Sequence, residues 1–224
     1  MDRLATMETF DSIRSRRTLK VLADPSQPFA ECDEDVAVAL RDVIAAAGHA
    51  PYHYPADESH RSGELDSVVP WRIHALESSA CRQLILWSEG AGITAGKINS
   101  MLAAAVSCSL VTWLPDPPAD ERGFQEFEPT LRNMEHIAAS SAAVQNLLLA
   151  ATDRGFTTYW SSGGSLRSEA VFDRIGIPRG EVLLGAIFLF PSDVGDASTK
   201  PGALRDRRGP VESWARVLGA DQLR

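Results

Sequence analysis

"LRNMEHIAASSAAVQNLLLAATDRGFTTYWSSGGS", residues 131–165, changes its hydrophobic period midway. Up to Arg154 the apolar residues Met134, Ile137, Ala138, Val144, Leu148 and Ala151 fall broadly on one side of a helix, which Gly155 stops. From Phe156 to Trp160, "FTTYW" is rich in β-branched and aromatic residues and predicts a strand. "SSGGS" leads directly into a second helical stretch, Leu166–Ile175, ended by "GIP". A long helix feeding a strand that turns at once into another helix implies α and β elements packed as layers.

Working outward, "VLLGAIFLF", Val182–Phe190, is an unbroken apolar run of strand length and predicts a strand buried on both faces. "WRIHAL", Trp71–Leu76, alternates as a half-buried strand does, Ser78–Ser88 follows as a helix, and Val106–Leu114 reads as a buried strand ended by "PDPP". Glu34–Ala47 sets Val36, Ala39, Leu40, Val43, Ile44 and Ala47 at helical spacing behind Asp33. Near the start, a short helix over Met7–Ser15 precedes "TLKVLADPSQP", whose prolines read as a loop, and the tail forms a short helix from about Pro210. Tyr52–Val69, polar and holding Pro55 and Gly63, predicts a long surface loop of the functional or mobile kind.

A hydrophobic fraction of 44% with 23% charged residues excludes the disordered and fibrous classes. No repeat and no Gly/Ser linker divides the 224 residues, so a single domain over residues 1–224 is expected. The three cysteines, Cys32, Cys81 and Cys108, lack a Cys-x-x-Cys spacing; this argues against a disulfide framework or thiolate zinc site and for reduced thiols of the cytoplasmic kind. No segment has the apolar length of a secretory signal or a bilayer span, so neither export nor membrane insertion is expected. A net charge of −8 and a pI near 5.1 repel polyanions, and no basic stripe offsets them, so no nucleic-acid partner is expected.

Several familiar chemistries are absent. No Gly-Lys-Ser/Thr run closes a P-loop, no Gly-x-Ser-x-Gly elbow occurs, and "GAGITAG", residues 90–96, has the wrong third spacing and follows a helix. His49 and His53 are four apart, but Pro51 between them breaks the helix that would aim both at one metal. Asp57, Glu58 and His60 share that polar loop and read as solvated, His74 and His136 read as structural or exposed, and no metal is expected. Against the acidic background, "SIRSRRTLKVL", Ser12–Leu22, stands out. Arg16, Arg17, Thr18 and Lys20 supply guanidinium forks, a hydroxyl and an ammonium, the donors that chelate a phosphate. Alone, such a run reads first as a solvated face. Two further pieces accompany it: "LRDRRGPVE", where Arg205, Arg207 and Arg208 precede a helix start, and "YWSSGGS", where Gly163 and Gly164 let backbone N–H groups approach a flat ligand.

Taken in order, these segments resemble the flavin-dependent nitroreductase family. "IRSRRTLKVL" is similar to its Ile-x-x-Arg-Arg-Ser-x-Arg/Lys-x-Phe run, with Thr18 for the usual Ser, and "LRDVIAAAGHAP" to its helix ending in Ala-x-x-Ala-Pro. "VPWRIHAL" resembles the Gln-Pro-Trp-x-Phe strand, and "EHIAASSAAVQNLLLAATDRGFTTYW" the buried helix leading to Gly-x-x-Thr-x-Trp. "IGIPRGEVLLGAIFLFPSD" and "RRGPVESW" are similar to the closing strand and terminal Arg-x-Pro segment, so the likeness runs from Ile13 to Leu218.

The resemblance implies an α+β fold, a three-layer α/β/α sandwich with a mixed, largely antiparallel central sheet, working as an intertwined homodimer with FMN sites at its interface. It implies that Arg16, Arg17 and Thr18 hold the FMN phosphate and ribityl chain and that Arg208, with Arg207, closes the phosphate site. Lys20 would approach the N1/O2 edge of the ring, where a cation favours the negative charge that two-electron reduction brings. Ser162, Gly163 and Gly164 would line the N5 edge. The implied activity is ping-pong transfer of hydride from NADH or NADPH to a small electron-poor acceptor, a nitroaromatic or quinone. The alternatives are a flavin- or anion-binding relative without turnover and a specialised flavin reaction such as dehalogenation. One departure stands out: where the family has a short segment with a Ser and an Asn that reach the partner's flavin ring, this chain has the eighteen residues Tyr52–Val69 and no Ser-x-x-Asn. His53, Asp57 and Ser59 are the polar residues available there in their place.

Overall fold

The computed structural model describes residues 8–28, 33–61 and 63–220; Met7 and Cys32 lie outside them. In chain order the elements are α1 (Thr9–Ser15), β1 (Leu19–Leu22), α2 (Glu34–Ala47), β2 (Trp71–Glu77), α3 (Ser78–Gly90), α4 (Lys97–Ala104) and β3 (Ser107–Trp113). There follow α5 (Leu131–Asp153), β4 (Thr157–Ser161), α6 (Glu169–Ile175), β5 (Val182–Phe190) and β6 (Ser198–Pro201).

Four strands form an antiparallel sheet in the order β2-β3-β5-β4, and β1 pairs with β6 as a separate antiparallel ribbon. The parallel pairing among the described residues is a single bridge, Thr18 to Thr158, which sets the ribbon beside the β4 edge. Both middle strands are buried on both faces, so each face needs a covering layer. Cys108 and Leu110 of β3 with Ala186, Phe188 and Phe190 of β5 pack under α3, α4 and α6. Ile187 and Leu189 of β5 pack instead against Leu40 and Val43 of α2 and Ala143, Leu147 and Leu148 of α5. The result is a three-layer α/β/α sandwich. In β5 the residue Leu184 has no partner in β3, a bulge that puts Leu183 and Ala186 on one face although they are three apart.

Several elements differ from the sequence reading. The segment read as a loop after α1 contains β1, because its Val21 is fully buried and its backbone finds β6 as a partner. The stretch before β3 holds α4, and the helix expected over Leu166–Ile175 is a 3₁₀ turn, Gly164–Arg167, then α6 from Glu169. From Pro210 the described residues form a 3₁₀ turn, Val211–Ser213, in place of the expected helix. In α5, Met134 and Ala138 face outward, while Asn133, His136, Ala139 and Ser140 are buried.

The polar members of that buried face hold the chain where it enters and leaves the sheet. Asn133 accepts from Asp116 N–H (2.9 Å) and donates to the carbonyls of Asp116 (3.1 Å) and Glu128 (3.0 Å). Ser140 donates to Pro70 O (3.2 Å) and His136 O (2.7 Å). His136 Nδ1–H donates to Leu114 O at 2.7 Å, while its buried Nε2 has no partner among the described residues.

Two predictions follow from this burial. Desolvation first, with a smaller opposing effect of the Leu114 bond, holds His136 below the ordinary imidazole range, so the ring stays neutral in the fold. The unfolded chain takes up that proton near a pKa of about 6.5, so stability falls as pH drops through this value. His136→Gln, which never ionises, should show a smaller drop in urea midpoint between neutral and mildly acidic pH than the native protein. Burial likewise pushes the Cys81 thiol up to about 12 and Cys108 well above its ordinary value. Mass-mapped alkylation at mildly alkaline pH should leave both unlabelled in the native state and label both after denaturation.

Candidate functional site

α1 ends where two guanidinium groups take its last carbonyls. Arg205 donates from Nη1 to Arg16 O and from Nη2 to Arg14 O, both at 2.6 Å, joining positions up to 191 residues apart. Arg17 donates to the carbonyls of Arg14, Ser15 (3.1 Å) and Arg16 (3.3 Å). Cations at a helix C-terminus satisfy orphan carbonyls and oppose the negative end of the helix dipole. The chain then enters β1 at Thr18, whose carbonyl accepts from Gly202 N–H (2.8 Å) and whose hydroxyl accepts from Arg16 Nη1 (3.3 Å). A Cβ on Gly202 would stand 3.1 Å from that of Thr18, a contact tight enough that a larger residue would need Thr18 or the tail to shift slightly.

These contacts enclose a cavity of about 680 Å³ between the two ends of the chain and β4. Arg16, Arg17, Thr18 and Leu19 form one wall, Tyr159 and Trp160 another, and the turn from Pro201 to Asp206 with Arg208 the third. Trp160 lies over Gly185, where a Cβ would meet the indole Nε1 at 2.3 Å. Among the described residues no carboxylate pairs with Arg16, Arg17, Arg205 or Arg208, although Asp206 lines the same wall. Burial first, then the like charges of Arg205, Arg208 and Arg17, holds the Arg16 guanidinium below its ordinary value. Four self-repelling cations around one cavity form a donor set suited to a multiply charged anion. The volume is that of a small-ligand or cofactor site.

Of the residues singled out in the sequence, Arg16, Arg17, Thr18 and Arg208 line this cavity. Lys20 does not; its ammonium lies 4.8 Å from the centre of the Tyr159 ring, just beyond the wall. Arg207 is exposed and also off the lining. Ser162, Gly163 and Gly164 form the turn beyond Trp160 at the end of β4, outside the lining; the glycines have φ of +107° and +55°. A Cβ on Gly163 would meet Leu183 Cδ2 at 2.7 Å, so this position needs glycine twice over. Arg205, Tyr159 and Trp160 belong to the site but not to the set the resemblance implies. Arg205 stood in the quoted basic tail, yet nothing in "RDRR" separates the inward guanidinium from its neighbours.

The Tyr52–Val69 loop lies at the β2 edge, across the sheet from the cavity at the β4 edge. The Arg72 guanidinium fixes it, donating to the carbonyls of His60 (3.2 Å), Ser67 (2.9 Å), Val69 (2.9 Å) and Trp71 (2.8 Å). His60 Nε2 bonds Pro115 O at 2.7 Å. Asp57 accepts from Ser59 N–H (3.0 Å) and Oγ–H (2.7 Å), bonds that hold its carboxyl below the usual range, and His53 pairs with Glu135 at 3.0 Å. Within one chain, none of His53, Asp57 or Ser59 lines the arginine cavity. Among the described residues no three His, Cys, Asp or Glu side chains converge as a metal requires, and no helix is long and apolar enough to cross a membrane.

No protein-family profile matches the chain. Solved structures do. A nitroreductase-like family protein from Bacillus cereus superposes with a TM-score of 0.63 at 20% identity, covering 97% of this chain and 99% of that one. A nitroreductase from Lactococcus lactis in complex with nicotinic acid gives 0.62 at 15% identity over 95% and 100%. A nitroreductase with bound FMN from Bacteroides fragilis gives 0.52 at 17% identity over 85% and 91%. The chain has the nitroreductase-like fold.

Inorganic phosphate should therefore raise the melting temperature of the native protein by mass action on the arginine cavity. The double variant Arg16→Gln, Arg208→Gln should lose most of that shift in a thermal scan with and without phosphate.

Proposed function

We propose that the protein is an FMN-dependent oxidoreductase that takes hydride from NADH or NADPH and passes two electrons to a small electron-poor acceptor of the nitroaromatic or quinone type, in a ping-pong cycle. The observation that carries this reading is the convergence of Arg16, Arg17, Thr18, Arg205 and Arg208 on one cavity beside β4, in a chain with the nitroreductase-like fold. FMN would bring a phosphate dianion to those cations, and when bound it supplies the two-electron chemistry. The Bacteroides neighbour has FMN bound, and the Lactococcus neighbour holds nicotinic acid, a ring that differs from nicotinamide only in bearing a carboxylate.

In this reading Arg16 and Arg208 grip the phosphate, Thr18 offers its hydroxyl to the phosphate or ribityl chain, and Arg17 and Arg205 fix the α1 terminus that presents them. Lys20, held near Tyr159, supplies positive charge along the pyrimidine edge, and Ser162, Gly163 and Gly164 offer the backbone along N5. Arg207 has no part in the grip, since it is off the cavity wall. The working unit is a homodimer. Leu131 and Met134, 62% and 58% exposed, lie with Ala138 on the outward side of α5, and Trp214 and Val217 are exposed in the tail; a second copy would cover such apolar surface. A Tyr52–Val69 loop that reached the ring would then belong to the second subunit, since within one chain the loop lies across the sheet from the cavity.

Purified protein should carry or take up FMN with a flavin absorbance band, and should oxidise NADH or NADPH when given a nitroaromatic. A colourless protein that takes up no FMN would overturn the reading. Bound FMN that neither nicotinamide reduces would support binding without turnover instead. Arg16→Gln should weaken FMN binding about thirtyfold, the loss of roughly 2 kcal/mol expected for a charge-assisted hydrogen bond.

A further inference from the structure

The Ser162–Gly164 turn is held from behind by a side-chain clamp. Arg167, the last residue of the 3₁₀ turn that follows, donates from Nη2 (2.8 Å) and Nε (3.2 Å) to Ser162 O. Its Nη1 donates to Leu183 O (2.5 Å) and to Gln125 Oε1 (3.1 Å). Gln125 Oε1 also accepts from Leu183 N–H (2.9 Å), and its Nε2 donates to Glu181 O (3.2 Å). One guanidinium and one amide thus tie the turn to the first residues of β5.

Gln125 performs this from a backbone at φ +67°, the one non-glycine among the described residues in the left-handed region. Such a conformation is sterically disfavoured for a residue with a Cβ and persists only where surrounding contacts impose it. The turn itself has two adjacent glycines at positive φ and little stiffness of its own. Ser162 C=O and Gly163 N–H share one planar peptide unit, so holding the carbonyl fixes where that N–H points. Gly163 N–H donates to Ser161 Oγ at 3.2 Å, and the next peptide unit, ending at Gly164, starts from this fixed plane.

We propose that Arg167, braced by Gln125, is the positioning residue of the Ser162–Gly164 turn, setting the direction in which the turn's backbone meets the bound ring. This rests on the reading of that turn as the flavin's N5 edge. Arg167 acts through the turn and is off the cavity wall, so phosphate binding does not depend on it. A lysine could reach either Ser162 O or Leu183 O but lacks the planar fork that spans both.

The test compares the native protein with Arg167→Met, Arg167→Lys and Gln125→Gly, the last accepting the positive φ without strain. Backbone hydrogen exchange is read without flavin; FMN affinity and the rate at which NADH or NADPH reduces the loaded protein are read with it. In Arg167→Met, exchange over residues 163–166 should rise about tenfold while α5 is unchanged, and reduction should slow about tenfold, with FMN affinity within about threefold of native. Arg167→Lys should restore part of the loss. Native exchange and native rate in Arg167→Met would overturn the proposal. So would faster exchange in α5 to the same degree, which marks general destabilisation, or FMN affinity falling in step with the rate. Should Arg167→Met not fold, Gln125→Gly carries the same expectations. A native protein that takes up no FMN overturns the flavin reading alone, and the clamp is then decided by exchange.

Discussion

The structure depends on a sheet whose two middle strands cannot meet water on either side. β3 is buried along its whole length and β5 at every residue but the half-buried Leu184, so α2 and α5 must cover one face and α3, α4 and α6 the other. With both faces occupied, only the two edges can host anything else. The β2 edge takes the Tyr52–Val69 loop, and the β4 edge takes the β1–β6 ribbon with the arginine cavity. Each edge strand is thereby shielded from pairing with stray strands.

Electrostatics explains why a chain of net charge −8 gathers four guanidinium groups at one edge. Asp206 is the one carboxylate lining the cavity among the described residues and pairs with none of the four arginines, so their mutual repulsion is little relieved there. Arg17 and Arg205 offset part of that cost by capping α1, donating to the carbonyls of Arg14, Ser15 and Arg16. An acidic surface with a cationic cavity repels polyanions yet admits a small anion that fits.

Much of this was legible in the sequence where one physical signal dominates. The apolar run Val182–Phe190 and the spacing in Glu34–Ala47 lead directly to β5 and α2, because burial alone decides them. The basic runs at both ends were legible as donors, and four of the nine residues expected at the site line the cavity. What escaped depends on contacts distant in the chain. β1 and β6 are four-residue strands whose identity comes from each other, and the prolines around them read locally as loop. Met134, expected on the packed side, turned outward because carbonyls at Leu114, Pro70 and Asp116, far from α5 in sequence, claim the helix's polar residues for the buried face. Arg205 is distinguished from Arg207 only by the helix end it meets.

The Arg205 contact with α1 gives the site a place in time as well as in space. A loop spanning nearly the whole chain must close before the cavity exists, and its closure is among the most entropically demanding in the molecule. On a ribosome, the sheet and both helical layers can be assembled up to β5 before residues 201–208 emerge. The cavity is therefore completed late in folding, and an anion that bound there would favour molecules in which Arg205 has reached α1.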